Sequence, residues 1–388
     1  MKQAISGTGN SGKRNIALDM LRGITITIMI IVNAIPDFEV TPAIMLHAPW
    51  EGITIPDLAF PGFVFCMGAS AAFTIERRAK GLLAGKILKR TIMLFALGLL
   101  LNSMSAVFAL LLTDGYTLSR LYGDVFTHGR ILGVLQRLAL IYMFGMGIAM
   151  FLRSKAGVLT AAVCLLLLSS AGFHIYSPEA PFDKLHNISL AVDYVIPGAD
   201  HIYQGYGFPF EPEGLYGIFA SAASMLLGVW AGRILQSGGS ECSNAGVILA
   251  GGIATVLLGL LWSCFDLIGK PLWTAPFALL NAGGDMVVLA FLVWLMRQVP
   301  SVQYFMRPFH ALGRNPLFFY LASETALIIL WTIVMPPDGI NAYSWLWENT
   351  TKGIISVPFS SVLHAILWCL MWWPVAEFMY RKNIVIRL

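Results

Sequence analysis

The sequence predicts an all-α membrane protein that crosses the bilayer about ten times and keeps both termini in the cytoplasm. Of the 388 residues, 57% are hydrophobic and only 12% charged, and the mean hydropathy of +0.73 is far above that of soluble domains. Apolar stretches of about 20 residues, enough for a spanning helix, recur along the whole chain. This composition excludes fibrous, disordered, disulfide-scaffold and nucleic-acid-binding proteins.

Apolar windows that satisfy the length criterion for a spanning helix give the count of ten. They are Ile16–Ile35, Ile55–Ile75, Thr91–Leu112, Ile131–Leu152, Gly157–Phe173, Tyr216–Leu235, Ala245–Ile268, Phe277–Met296, Pro316–Met335 and Val357–Met379. No tandem repeat or long linker divides them. We therefore expect residues 1–388 to form a single transmembrane domain.

Basic residues fix the expected orientation, because short cytoplasmic loops retain Lys and Arg. One set of loops contains Lys2, Lys13, Arg14, Arg77, Arg78, Lys80, Lys86, Lys89, Arg90, Arg153, Lys155, Arg233, Arg297, Arg307, Arg381, Lys382 and Arg387. The alternate set contains only Arg120, Arg130, Lys184, Lys270 and Lys352. This asymmetry predicts that the loops 36–54, 114–129, 176–215 and 336–356 face outward.

The cysteines show no metal-binding or disulfide pattern. Cys66, Cys164, Cys242, Cys264 and Cys369 are scattered, mostly within apolar runs, and none belongs to a CxxC or Cys/His arrangement. We expect neither a structural disulfide nor a metal site.

The outer segment 176–215 differs from the other loops in length and composition. It is rich in acidic and aromatic residues, and long ordered loops usually carry function. We interpret it as a substrate-side subregion, in which carboxylates can bind hydroxyl or ammonium groups and aromatic rings can stack on sugars. The candidates are Asp193, Asp200, His201 and Tyr203.

Polar residues within the predicted spans are costly and indicate a cavity or a partner. Asp19 and Arg22 are one helical turn apart on one face of the first span, so they form either a neutralising ion pair or an anion entrance lined by Arg22. Further polar residues in or beside spans are Gln136, Arg137, Asp266, Asp285, Arg314, Asn315, Glu324 and His364. Each could cross-link helices, but together they predict a polar cavity, which suits both transport and catalysis.

The first outer loop contains the strongest candidate for chemistry. Asn33 ends the first span, and His47 follows in a short loop with Pro49 and Trp50, which we expect at interface depth. The loop leads directly into Asp57 at the mouth of the second span. A loop histidine is usually just solvated, but a nearby carboxylate can fix its tautomer and raise its basicity.

Several motifs resemble those of the heparan-α-glucosaminide N-acetyltransferase family. In chain order they are Leu18–Gly23, Met29–Asn33, His47–Thr54, Asp57–Phe65, Gly133–Leu138, Asp200–Tyr203, Glu211–Gly214, Leu227–Gly232 and Leu272–Thr274. The first motif is also similar to the opening of other membrane acyltransferases. The string His-Ala-x-Trp-x-Gly-x-Thr-x-x-Asp, from His47 to Asp57, is specific.

This resemblance implies transfer of an acetyl group from cytoplasmic acetyl-CoA, as co-substrate, to the amine of a terminal glucosamine across the bilayer. It implies that His47 is catalytic and that Asn33 assists it. Lysosomal members have a luminal region ahead of these helices. We expect a bacterial-type member without that region, in the inner (cytoplasmic) membrane, with an aminosugar or amino-bearing glycan as acceptor and a homodimer as one possible assembly.

A mechanism follows from combining these expectations. His47 acts as general base or becomes acetylated, Asn33 donates to the oxyanion, and Asp57 orients His47. The residues expected to hold acetyl-CoA are Asp19, Arg22, Gln136, Arg137, Arg314 and Asn315. On the acceptor side, we expect Trp50 to bind the sugar together with Asp193, Asp200, His201 and Tyr203.

Three other functions stay open at this stage. A sugar transporter fits ten helices and a polar cavity, although no inverted repeat is evident. A non-catalytic scaffold is a second alternative, but it does not explain why the charged residues Asp285, Arg137 and Glu324 lie within predicted spans. An acyltransferase that modifies a cell-envelope glycan or a lipid-linked sugar differs only in its acceptor.

Overall fold

The computed structural model describes residues 15–75, 80–336 and 339–386, and the regular secondary structure in these ranges is almost entirely helical. The helices are α1 (Ile16–Asn33), α2 (Pro56–Ile75), α3 (Lys80–Leu112), α4 (Leu118–Tyr122), α5 (Val134–Ala149), α6 (Lys155–Tyr176), α7 (Ile188–Val195), α8 (Ile218–Leu235), α9 (Glu241–Trp262), α10 (Ala275–Gln298), α11 (Val302–Phe305), α12 (Arg307–Gly313), α13 (Pro316–Thr332), α14 (Ala342–Thr350), α15 (Val357–Met371) and α16 (Trp373–Arg381). The strands β1 (Val334–Met335) and β2 (Ile340–Asn341) pair antiparallel.

The prediction of an all-α polytopic membrane protein is confirmed. Within the described ranges, eight helical segments are long and apolar enough to cross a membrane, with α15 and α16 counted as one, and α5 and α13 are shorter apolar helices. Each predicted window overlaps one of these ten. The last is interrupted at Trp372, just before Pro374, because proline lacks the N–H and clashes with the preceding turn.

The seventh predicted span differs at its C-terminal end. The window extended to Ile268, but α9 ends at Trp262. The residues that follow, up to α10, form an ordered connection, which we call the 263–274 connection. It takes part in the candidate site described below.

Helices α2 and α8 form the centre of the bundle and run parallel. A Cβ on Gly68 would collide with the carbonyl oxygen of Met225, and one on Gly228 with that of Phe65. Small residues allow this close backbone approach, which is how helices associate without a hydrophobic driving force in lipid. The first residues of α2 and α8 consequently lie at the same end of the bundle, which we call the His47 end.

An aromatic cluster covers the His47 end and joins three loops. Trp50 packs edge-on against Tyr206 and Phe210, with ring centroids 6.2 and 5.0 Å away. Leu272 of the 263–274 connection belongs to the same buried cluster. The loop that carries His47 and Trp50, the segment 176–215 and the 263–274 connection are therefore packed as one unit.

Several basic residues used to predict the orientation lie outside the described residues. They are Lys2, Lys13, Arg14, Arg77, Arg78 and Arg387. The orientation stays a prediction, and the helix directions make it testable.

Cysteine labelling at the two ends of the bundle tests the orientation. His47 lies beside the start of α2, whereas Gly238 follows the end of the parallel helix α8, so the two positions are at opposite ends. In a background without the native cysteines, we expect His47→Cys to react with an impermeant maleimide on intact cells and Gly238→Cys to react only after permeabilisation. The reverse pattern would overturn the topology.

Candidate active site

The loop that presents His47 is closed by local hydrogen bonds and tied to a distant segment. The Thr54 hydroxyl donates to the carbonyl of Leu46 at 2.6 Å. Gly52 has φ +108°, a left-handed conformation that favours glycine, and its N–H donates to Ile268 O at 2.7 Å. A bridge between Gly52 and Gly269 extends this contact. The His47 loop is therefore fixed against the 263–274 connection.

The Asp57 carboxylate is fully buried in the first turn of α2. Its Oδ1 lies 2.7 Å from His47 Nδ1. Its Oδ2 accepts hydrogen bonds from the N–H groups of Ala48 and Thr54, at 3.1 and 3.0 Å. The Thr54 hydroxyl lies 2.8 Å from the same oxygen and shares its single hydrogen between Oδ2 and Leu46 O. Such donors satisfy a charge that burial alone would penalise.

The contact with Asp57 selects one tautomer of His47. An ionised carboxylate only accepts hydrogen bonds, so Nδ1 carries the proton and Nε2 keeps its lone pair. The His47 side chain is half exposed. A buried orienting group and an accessible ring are the arrangement that a general base or a nucleophile requires.

Lys270 is a third member of this group, and the sequence analysis did not assign it a role. Its Nζ lies 3.0 and 3.2 Å from His47 Nδ1 and Nε2 and 3.6 Å from Asp57 Oδ1. The backbone around it is tightly turned, because Thr274 N donates to Gly269 O and Trp273 adopts φ +49°. The available signal was a lysine on the side of the membrane where basic residues are scarce.

A buried charge network extends from Lys270 toward the segment 176–215. Arg130 forms ion pairs with Glu211 and with Glu213. The distance from Arg130 Nη2 to Glu213 Oε2 is 2.6 Å. Burial opposes the ionisation of Glu213, but the positive charges of Arg130, Lys270 and Arg137 hold its pKa below the usual value. Burial raises the pKa of Glu211, and its hydrogen bond from Arg130 offsets only part of that effect. Arg130 thus holds both carboxylates, with two hydrogen bonds to Glu211 and one to Glu213.

Gln136 and Arg137 lie at the His47 end. Arg137 is buried, donates to Pro212 O at 2.6 Å and sits over the Trp273 ring at 4.5 Å. Gln136 is fully buried beside Asn102, and its amide atoms have no hydrogen-bond partner among the described residues. The structure therefore brings both residues near the candidate site, away from Arg22.

Asn33 and Glu324 form a pair that the sequence analysis did not anticipate. Asn33 is the last residue of α1, and its Nδ2 donates to Glu324 Oε1 of α13 at 2.7 Å. This hydrogen bond fixes the orientation of the amide. The second hydrogen on Nδ2 stays available to a ligand.

Asp19 and Arg22 lie at the opposite end of the bundle. Arg22 Nη1 is 2.9 Å from Asp19 Oδ1, and Nη2 donates to the Ser70 hydroxyl at 2.5 Å. A further hydrogen bond of 3.3 Å runs to Gly313 O. The ion pair of the sequence analysis is thus present, and the guanidinium also links α1 to α2.

Arg314 and Asn315 hold the C-terminal segment. Asn315 donates to Ile384 O at 2.9 Å and accepts from Ile386 N at 2.8 Å. The Arg314 guanidinium lies over the Tyr380 ring at 5.1 Å. These contacts with the end of the chain give both residues a structural role.

The acceptor-side candidates divide into buried and exposed residues. Asp193 is fully buried and accepts from Leu215 N at 2.9 Å; burial raises its pKa to about 7. Trp50 is also buried, and its Nε1 donates to Phe182 O at 3.0 Å.

The other candidates reach the surface to different degrees. His201 Nδ1 lies 2.9 Å from Gly129 O, while Asp200 is exposed. Tyr203 is partly exposed. The Cζ of Arg130 lies over its ring, 4.9 Å from the ring centroid. Asp200 and Tyr203 are therefore the members of this set that solvent reaches most readily.

Within residues 15–75, 80–336 and 339–386, no group of three or more His, Cys, Asp or Glu side chains could hold a metal ion.

Residues 14–257 match the family model described as heparan-alpha-glucosaminide N-acetyltransferase, catalytic. The matched region covers more than half of the chain and contains Asn33, His47 and Asp57. The chain belongs to the heparan-α-glucosaminide N-acetyltransferase family. Lys270 lies beyond the matched residues.

Two curated relatives carry the name heparan-alpha-glucosaminide N-acetyltransferase. The Homo sapiens protein is 28% identical over 272 residues, which are 56% of this chain and 38% of that protein. The Mus musculus protein is 26% identical over 279 residues, which are 58% of this chain and 40% of that protein. The match thus spans about two fifths of the length of each relative.

Removal of Arg130 tests the buried network. Arg130→Met leaves Glu211 and Glu213 without their shared cation, and breaking a buried ion pair typically costs about 3–5 kcal/mol. We expect a clear drop in the thermal unfolding temperature of the purified protein. Arg120→Met is the control, because its pair with Asp124 is exposed and 4.0 Å long and contributes little. Equal unfolding temperatures for the two variants would contradict the network.

Proposed function

We propose that this membrane protein transfers the acetyl group of acetyl-CoA to the amine of a glucosamine-type sugar, with His47 as the catalytic residue. Family membership supports an acetyltransferase. The observation that carries the proposal is the half-exposed His47 ring held by the buried Asp57 carboxylate at 2.7 Å.

Direct transfer uses His47 as general base. Nε2 takes a proton from the attacking amine while the amine nitrogen bonds to the thioester carbonyl carbon. The tetrahedral intermediate then collapses, the C–S bond breaks, and the leaving thiolate receives the proton from the imidazolium. Asp57 stabilises the transient positive charge on the ring.

A two-step route uses the same atoms. Nε2 attacks the thioester carbonyl carbon, the C–S bond breaks, and the CoA thiolate leaves as the thiol with the proton that the acetyl-imidazolium loses from Nδ1. The acetyl-imidazole then passes its acetyl group to the sugar amine, and the proton that the amine loses returns to the imidazole. A covalent acetyl on His47 after incubation with acetyl-CoA alone would favour this route. Strictly ternary kinetics without such an adduct would favour direct transfer.

Asn33 supplies the oxyanion donor in either route. One hydrogen of its Nδ2 is used by Glu324, and that contact aims the other hydrogen without a cost of reorganisation during the reaction. In this proposal, the Glu324 carboxylate lies within the membrane because it orients the Asn33 amide.

Acetyl-CoA would reach His47 through the bundle from the cytoplasm. Arg22 and Asn33 lie on the same helix, about 17 Å apart along its axis, so the donor has to span that distance between an anion site at Arg22 and the reacting centre. Gln136 and Arg137, at the His47 end, then contact the acyl end of the donor, while Arg314 and Asn315 support the cytoplasmic mouth.

The sugar acceptor would bind at the His47 end, beside Tyr203 and Asp200. Their exposure favours them over the buried residues Asp193 and Trp50, which shape the segment behind them. We place the protein in a bacterial inner membrane with this end facing the periplasm, where a cell-envelope glycan is the alternative acceptor.

Replacement of His47 tests the catalytic assignment. We expect His47→Ala to abolish acetylation of glucosamine by radiolabelled acetyl-CoA in proteoliposomes, because both routes need the ring. His128→Ala is the control, since His128 is an exposed histidine in another loop. Near-normal turnover by a folded His47→Ala variant would contradict the proposal.

Replacement of Asn33 tests the oxyanion donor separately. We expect Asn33→Ala to lower kcat by about 10²–10³, the usual cost of losing such a donor, with little change in KM for acetyl-CoA. Glu324→Gln keeps a carbonyl acceptor for Asn33 and should lower kcat much less. A larger loss in Glu324→Gln than in Asn33→Ala would show that Asn33 does not serve as the donor.

A further inference from the structure

Lys270 contacts the candidate catalytic residue but has no role in the reaction as described so far. Its side chain is 15% exposed, and its Nζ lies 3.0 Å from His47 Nδ1 and 3.2 Å from Nε2. The shorter contact of Nδ1 is the one with Asp57 Oδ1, at 2.7 Å. Because Nδ1 is the donor to Asp57, Nε2 is the ring nitrogen that can accept a hydrogen bond from the ammonium. A protonated Nε2 would instead turn a hydrogen toward the Lys270 cation.

The charges around His47 oppose each other. From α2, the Asp57 carboxylate favours a protonated ring, and from the 263–274 connection, the Lys270 ammonium disfavours it. Lys270 itself faces the carboxylates of Glu213 and Asp57 and the guanidinium of Arg137. Burial lowers the pKa of Lys270, while Glu213 and Asp57 counteract that effect. The two carboxylates thus help to retain the ammonium beside the ring.

The position of Lys270 is set by the backbone. The Gly52 N–H bond to Ile268 O and the Gly52–Gly269 bridge fix the 263–274 connection against the loop that carries His47. The contact between the ammonium and the imidazole is consequently part of the folded scaffold, and it does not depend on a bound substrate.

We propose that Lys270 is a positioning residue whose ammonium, in contact with the His47 ring, disfavours a second proton on that ring and so leaves the lone pair of Nε2 for the reacting group. The meaning of this role for catalysis rests on the proposed function. The protonation of the ring can nevertheless be measured without any turnover. When substrate occupies Nε2, the flexible lysine side chain can turn toward Asp57 Oδ1, which is 3.6 Å away.

Removal of the cation should stabilise the protonated ring, because Asp57 then acts on it alone. The reactivity of His47 as a base would accordingly appear only at higher pH. We expect a displacement of about one pH unit for a unit charge some 3 Å away under water-like screening, and more where the site is desolvated.

The closing experiment measures the protonation of His47 in the full-length protein by its reaction with diethyl pyrocarbonate, which modifies neutral imidazole. The rate at the His47 peptide is followed by mass spectrometry from about pH 5 to 8. In Lys270→Met we expect the midpoint of the curve to move up by about one unit. In Lys270→Arg, which retains the charge, it should stay close to that of the unsubstituted protein.

Two further variants secure the interpretation. Lys352→Met removes a lysine that pairs with Glu348 and should leave the midpoint unchanged. If Lys270→Met does not fold, Lys270→Gln supplies an uncharged side chain with a polar end. An unchanged midpoint in the folded uncharged variant overturns the proposal.

The acid limb of kcat/KM for acetyl transfer should move in the same direction in Lys270→Met and return in Lys270→Arg. A loss of rate without movement of this limb would indicate a merely structural lysine and would also overturn the proposal. If the unsubstituted protein transfers no acetyl group, the proposed function fails, whereas the diethyl pyrocarbonate result still decides the role of Lys270.

Discussion

The buried Asp57 carboxylate is the constraint around which the His47 end is organised. A carboxylate with no exposure to solvent is tolerated only where donors or cations surround it. Asp57 obtains them from the backbone of its own loop, from Thr54, from His47 and from Lys270. The same contacts that satisfy the charge also close the loop, choose the tautomer of His47 and draw a distant lysine to the site. The closure of the loop and the orientation of the His47 ring therefore depend on one group.

The network beyond Lys270 extends this principle to the outer segments. Glu213 is held ionised by three cations, and Arg130 bridges it to Glu211. Partially satisfied buried networks are unstable, whereas fully connected ones specify a single arrangement. The loops of the His47 end are thus held by paired charges in addition to the aromatic cluster around Trp50.

The sequence was sufficient for features governed by local composition. Length and apolarity located all ten apolar helices, and the spacing of His47 and Asp57 suggested a contact that the structure contains. The role of Lys270 was not predictable in this way, because it depends on the bridge between Gly52 and Gly269. The end of α9 was also missed, since residues 263–268 are apolar enough to continue a helix.

The early end of α9 has its own physical cause. Asp266 accepts hydrogen bonds from Ser170 and Trp262 and lies 2.8 Å from His174 Nε2. These tertiary partners hold the backbone after Trp262 in an irregular conformation. Arg137 illustrates the same limit, because its sequence position gave no indication that it would sit over Trp273 and beside the charges of the His47 end.

The contact between His47 and Lys270 joins residues 223 positions apart in the chain, and this separation matters during biosynthesis. A nascent chain carries His47 and Asp57 into the membrane early, but the lysine follows only after seven apolar segments have left the ribosome. Until then Asp57 is the only charged partner of His47 from this group that has been synthesised, and the contact between the ammonium and the ring cannot form. The group of His47, Asp57 and Lys270 is therefore completed only after most of the bundle has been synthesised.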